Sequence, residues 1–205
     1  MEAGYAVHVE KPVAATVQEV SHLREVEQRT GRRCSVGYQS IYSPTMQWLR
    51  RQLQSGRLGT VHEMRSMISW PRAASYYARN SWAGHLRDGG RWVLDGPATN
   101  ATAHYLMNPL YLAMYVGQGR DEIRSVEGEL YRAKPIESYD TSCMRVTMGS
   151  GITVVNVVSH AVSESMEPTM TILCSGGQIT WSAQDNAATI HYADGREEQF
   201  VDPDV

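Results

Sequence analysis

The spacing of apolar residues changes character once along this chain, near residue 122. Before that point short apolar runs alternate with helical stripes. After it, runs of strand length follow one another with glycine turns between them. Residues 5–9 (YAVHV) read as a strand that stops at Glu10-Lys11-Pro12, because proline has no N–H for a ladder and holds its predecessor extended. Thr16 with Glu19 forms a capping box. Val17, Val20, Leu23 and Val26 then recur at helical spacing, and Gly31 ends the helix. Residues 33–38 give a second strand. Strand, helix and strand in so short a span is the βαβ unit of a parallel sheet. Ser43-Pro44 opens a further helix with Met46, Leu49 and Leu53 as its buried stripe, and 61–70 reads as the next strand.

Residues 71–91 are a polar and aromatic connection, longer than most, with room for a short helix near 74–79. An extended run at 92–95 and a helix over 98–116, bent or broken at Pro109, complete the first part. Strands are expected at 123–132, 141–148, 152–162, 169–175, 178–182, 187–192 and 196–201. Gly149-Ser150-Gly151 joins two of them as a hairpin, and Ala193-Asp194-Gly195 joins the last pair. The pattern predicts an α/β (α+β) fold with a large, mostly antiparallel sheet.

Composition narrows the function. The chain has 205 residues with 19 Lys plus Arg against 22 Asp plus Glu, a formal charge of -3. A duplex-binding surface shows a basic excess, so nucleic acid is not an expected partner. No stretch approaches the length of a membrane span, and the first residues carry no signal-peptide pattern. Cys34, Cys143 and Cys174 lie far apart without CxxC spacing, which fits a reducing, cytoplasmic setting and no structural zinc. His8, His22, His62, His160 and His191 are scattered, and no metal site is expected from them. Two strands do not make a stable doubly wound sheet. Because the βαβ unit begins close to Met1, either another chain completes it or the sequence belongs to a longer protein.

The ordered motifs resemble one family. Glu10-Lys11-Pro12 ends the first strand. Val36-Gly37-Tyr38-Gln39 ends the second. Ser55-Gly56-Arg57-Leu58-Gly59 closes a proline-started helix. Then come Tyr76-Tyr77, Trp82-Ala83-Gly84, Gly89-Gly90 and Val93-Leu94-Asp95. This order is similar to the glucose-fructose oxidoreductase and inositol dehydrogenase (Gfo/Idh/MocA) family. The resemblance implies that residues 1–40 are the last βαβ part of a Rossmann domain, and that 41–205 form the substrate-binding and oligomerisation domain. It implies NAD or NADP as cofactor, although no G-x-G-x-x-G turn occurs in the chain. The chain is thus expected to match the family from the late Rossmann domain onward, to stop before its final segment, and to bind dinucleotide weakly by itself.

Lys11 stands at the carboxyl end of a parallel strand, where open α/β sheets place their ligands. By the resemblance it lies beside the nicotinamide and the reacting hydroxyl; a solvated surface lysine is the plainer alternative. Glu10, Pro12, Gln39 and Trp82 are the further cofactor-side residues that the resemblance implies, and a cis bond before Pro12 is left open. Asp95 is expected to orient substrate hydroxyls. The family's histidine four residues later is Thr99 here, whose hydroxyl cannot act as a base near neutral pH. Asn100 and His104, four apart on the expected helix, are the substitutes, with His104 as base, substrate binder or buried structural group. Tyr77 is a further substrate-binding candidate, and Arg79 or Arg87 a partner for an anionic group. The catalytic set is therefore Lys11, Asp95 and His104. The expected activity is hydride transfer between a nicotinamide and a sugar, cyclitol or related polyol. The alternatives are a non-catalytic sugar-binding or regulatory relative, a purely structural sheet protein and, more remotely, an NAD-dependent glycosidase. Homodimers or homotetramers are expected through the open sheet face, whose apolar residues between 152 and 162 would otherwise stay wet.

Overall fold

The computed structural model describes residues 1–117 and 119–203. Strands β1 (Val7–Val9) and β2 (Cys34–Val36) pair in parallel, with Val7 opposite Cys34 and Val9 opposite Val36. Helix α1 (Val17–Thr30) connects them. Its start is fixed reciprocally: Glu19 N–H donates to Thr16 Oγ1 at 3.3 Å, and Thr16 N–H donates to Glu19 Oε2 at 3.0 Å. Gly31 ends it in the left-handed region at φ 64°. The expected apolar stripe is only partly covered, since Val26 is buried while Val17 is 77% exposed. Val17 is the first residue of the helix, and the sheet that α1 accompanies has only two strands of three residues each.

A 3-10 turn over Gln39–Tyr42 leads into helix α2 (Pro44–Gln54), where Ser43 Oγ accepts from Met46 N–H at 3.2 Å. Strand β3 (Val61–Ser69) follows, then a single helical turn α3 (Ala74–Tyr77). Next comes a small hairpin of β4 (Arg87–Asp88) and β5 (Arg91–Trp92), closed by Gly89-Gly90. The extended run expected at 92–95 is therefore mostly loop. Helix α4 (Ala103–Met114) begins five residues later than its apolar pattern implies, because 98–102 form turns, and it continues through Pro109.

The remaining strands are β6 (Ile123–Tyr131), β7 (Thr141–Met148), β8 (Thr153–Ser159), β9 (Met166–Cys174), β10 (Gly177–Ser182), β11 (Ala187–Tyr192) and β12 (Glu197–Val201). With β3 they form an eight-stranded open sheet in the order β12-β11-β10-β9-β3-β8-β7-β6. All neighbours are antiparallel except β3 and β8. Alternation sorts side chains onto two faces. Met64 lies opposite Val154 and Ile172, and Ile172 opposite Ile179, which faces Ile190. All are buried against Leu49 of α2 and Leu112 of α4.

The opposite face corrects one expectation. Ile152, Val154 and Val158 belong to the helix-covered side and are buried. Val155 and Val157 remain on the open side, opposite Arg145 and Cys143. Beside them run Arg65 and the row Thr171, Thr180 and Thr189. The open face is mixed rather than apolar. Among the described residues, no helix is long and apolar enough to cross a membrane.

Candidate functional site

β1 ends at Val9, and the chain turns through Lys11 and a cis peptide to Pro12. That turn aims Lys11 across to the loop preceding α4. Lys11 Nζ donates to the Asn100 carbonyl oxygen at 2.6 Å and lies 3.4 Å from Asn100 Oδ1. Asn100 Nδ2 in turn donates to Asp95 Oδ1 at 2.8 Å. The other oxygen of Asp95 accepts from Gly84 N–H at 2.8 Å. Asp95 is 7% exposed, so this pairing satisfies a carboxylate that burial alone would disfavour. Lys11, Pro12, Trp82, Val93, Asp95, Thr99 and Asn100 surround a cavity of about 290 Å³. The sequence places these residues up to 89 positions apart, and the fold joins them.

Asn100 occupies this site from a turn, not from the helical face expected of it, because α4 starts only at Ala103. That turn lets its backbone carbonyl and its side chain serve Lys11 together. Thr99 is exposed, and its Oγ1 donates to the Gly96 carbonyl at 3.2 Å. His104, in the first turn of α4, packs edge-on to Tyr38 at 5.8 Å between ring centroids. Its Nδ1 is buried without a hydrogen-bond partner. Burial, and next the positive charge of Lys11, push its pKa below the usual imidazole value, against a smaller opposing pull from Glu10. His104 therefore stays neutral near neutral pH, with an unpaired, buried ring nitrogen. Glu10 is exposed, and its carboxylate lies against Gly37, where a side chain would crowd it: a Cβ there would stand 3.1 Å from Glu10 Oε1. Gln39 is exposed in the 3-10 turn. Trp82 is half-buried on the cavity wall, with the Arg79 guanidinium 5.2 Å from its ring centroid and 3.6 Å from that of Tyr76. Arg87 instead covers Trp92 at 3.7 Å.

Tyr77 lines a different space. Asp95 also borders a pocket of about 10 Å³, room for a single water, which Tyr77, Tyr139 and His160 enclose. Burial, and next the charge of Asp140, push the Tyr77 hydroxyl up to about 12. Tyr77 Oη and His160 Nε2 are both buried there without partners. His160 Nδ1 is 2.8 Å from the Trp70 carbonyl oxygen, and burial lowers its pKa. Gly96 lies directly under the Tyr139 ring, so closely that a Cβ would overlap it. Gly84 is similarly tight against Tyr77, with a Cβ there 2.8 Å from the ring. Gly84, Tyr139 and His160 thus belong to the setting of Asp95. His160 is isolated in the sequence, and of these three residues only Gly84 falls within the ordered motifs. Among the described residues, no group of three His, Cys, Asp or Glu is placed to hold a metal.

Comparison with known proteins places this geometry. Residues 46–180 match the family model described as the GFO/IDH/MocA C-terminal domain. Inositol 2-dehydrogenase 2 of Saccharopolyspora erythraea is 33% identical over 109 residues, which is 51% of this chain and 32% of that protein. An inositol dehydrogenase homologue from Azotobacter vinelandii, solved with NAD+, superposes with a TM-score of 0.79 at 19% identity, over 98% of this chain and 51% of that one. The WlbA dehydrogenase of Bordetella pertussis, solved with NADH and UDP-GlcNAcA, gives a TM-score of 0.72 at 24% identity, over 87% and 51%. These structural likenesses carry the fold alone. The chain spans about a third of the curated relative and about half of the solved chains. A family match over most of the sheet domain, with the same fold across nearly the whole chain, makes this protein a member of the GFO/IDH/MocA family.

Proposed function

We propose that this chain carries the substrate side of a nicotinamide-dependent oxidoreductase that acts on the CH–OH group of a sugar, cyclitol or related polyol. The observation that carries the reading is the Lys11–Asn100–Asp95 chain of hydrogen bonds beside an open cavity at the end of β1. The apolar side chains of Pro12, Val93 and Trp82, with Lys11 lining the same cavity, suit a nicotinamide ring. Pro12, Trp82 and Lys11 would hold that ring, with Glu10 and Gln39 at the outer edge of the same strand ends. NAD or NADP, when bound, supplies the hydride acceptor.

Lys11 donates a hydrogen bond to the reacting hydroxyl and stabilises the negative charge that grows on its oxygen. Asn100 fixes where that ammonium points. Asp95 is a positioning residue: its oxygens serve Asn100 and Gly84, so it acts on substrate through them. His104, neutral and with its buried Nδ1 unpaired, receives the hydroxyl proton once substrate reaches it. Thr99 borders the space where further hydroxyls would sit, and Tyr77 encloses the smaller pocket that Asp95 also borders. Homodimers or homotetramers would form by packing the mixed sheet faces, with Val155, Val157 and Met67 as their apolar centre.

The test is steady-state NADH formation against pH with a polyol panel, in this chain joined to a glycine-rich nucleotide-binding half. Lys11→Met is expected to lower turnover by about 10². His104→Ala is expected to lower turnover and remove the acidic limb of the profile; a rise in KM alone would make it a binder. Wild-type turnover in Lys11→Met overturns the lysine-centred mechanism. Polyol binding without any turnover favours the non-catalytic alternative.

A further inference from the structure

A second chamber adjoins the Lys11 cavity. Pro12, Val93 and Thr99 border both, and the second has a volume of about 310 Å³. Its other walls are chiefly aliphatic: Leu86, Leu94, Leu130 and Met144. A bare polyol has nothing to place against such a surface, since each of its hydroxyls would lose water without gaining a partner. An aliphatic cavity of about 150 Å³ already accepts benzene, so this one has room for a six-membered ring and its linkage.

Two further observations indicate an occupant. Ser138 lines the chamber and is 4% exposed, yet its Oγ has no hydrogen-bond partner. The other hydroxyls on the wall are engaged, with Thr99 bonded to the Gly96 carbonyl and to Tyr139. A buried, unpaired hydroxyl among aliphatic side chains suits an apolar ligand that carries one acceptor oxygen. Leu94 also holds φ 51°, a region that leucine seldom adopts, in the loop that carries it to this wall.

We propose that the substrate is a polyol bearing an apolar substituent, an aryl or alkyl group joined through an ether or glycosidic oxygen. The carbinol lies against Lys11, the substituent fills the second chamber, and Ser138 Oγ donates to the linking oxygen. This assignment rests on the reading of the Lys11 cavity as a carbinol site.

Calorimetry on the 205-residue chain with phenyl and methyl β-D-glucopyranoside tests it. The phenyl glycoside is expected to bind at least about tenfold more tightly. Leu130, on the exposed edge strand, tolerates a polar replacement, so Leu130→Asp is expected to abolish that preference while leaving the methyl glycoside unchanged. Ser138→Ala is expected to weaken both glycosides, since each carries the linking oxygen, and to leave the phenyl preference in place. Lys11→Met should weaken both ligands equally. Phenyl glycoside should also shift the Met144 methyl resonance. Equal affinities, no binding of either at millimolar concentration, or a preference that survives Leu130→Asp each overturn the proposal. A preference that Leu130→Asp removes, with no oxidation of the phenyl glycoside once a nucleotide-binding half is joined, overturns the proposed activity and leaves the chamber assignment standing.

Discussion

Among the described residues before Gly37, Val26 alone is a buried apolar side chain, whereas Leu49, Met64, Leu112, Val154, Ile172 and Ile190 of the sheet domain are wholly enclosed. The βαβ region and the sheet domain thus hold their shapes by different means. α1 is fixed by its ends, through the Thr16–Glu19 box and the left-handed Gly31. The sheet is fixed by its middle, where residues from six strands and two helices exclude water together. Local signals can specify a helix that packs poorly, but only long-range burial specifies an eight-stranded order. Lys11 lies on the weakly packed side and Asp95 on the strongly packed side, so the candidate site spans the boundary between them.

The sharpest way to break this contrast is to remove one enclosed side chain from each region. Leu49→Ala or Ile172→Ala should cost about 2–5 kcal/mol in urea unfolding, while Val26→Ala should cost roughly 1–2 kcal/mol. Equal losses would mean that α1 shares the main core. Gly96→Ala comes next. The added methyl must push Tyr139 from its seat, at about 1–3 kcal/mol. It should also loosen the Asp95 loop, read as faster amide exchange at Gly84. Thr16→Ala should cost about 1 kcal/mol and speed exchange in α1 while leaving the sheet amides unchanged. Faster exchange to the same degree in both regions would show that they open as one unit.

The smallest expected effect separates the two regions by pH. His104 and His160 both have pKa values lowered by burial from the ordinary 6.5. Below that value the unfolded chain binds more protons than the native one. Stability should therefore be fully present above about pH 6.5 and fall as the pH drops from there through the lowered native values. His160→Gln should flatten this slope without altering the exchange of α1. A slope unchanged in both His160→Gln and His104→Gln would remove these two groups as its source.

The sequence carried the signals whose physics is local. The capping box, Gly31, Ser43-Pro44 and the hairpin at Gly149-Ser150-Gly151 all formed where their residues predict. Alternation marked every strand of the large sheet, but period alone cannot say which face of 152–162 turns inward; Ile152, Val154 and Val158 go to the core because α2 and α4 cover that side. At the site, Lys11 and Asp95 stood out, yet their link through Asn100 did not. An apolar stripe suggested a helix from residue 98, and it takes the turn at 98–102 to aim the Asn100 carbonyl at Lys11. His160 was beyond reach for another reason. Its partner Trp70 is 90 residues away, and no spacing rule connects them.

The position of β3 bears on how the chain comes together in time. Two consecutive strands, β8 and β9, do not meet; each lies against β3, which has been waiting since the first third of the chain. Ser66 and Asn156, bonded across that junction, are 90 residues apart. A growing polypeptide therefore exposes its central strand with both edges unpaired until nearly all the rest has emerged. The hairpins of β6 and β7 and of β10 and β11 can close early, but they remain two separate halves until β3 is clasped from both sides. Such distant closure makes assembly slow and leaves an interval in which a bare, two-edged strand is available to other chains. Production at lower temperature, or with chaperones that shield strand edges, acts on that interval rather than on the finished fold.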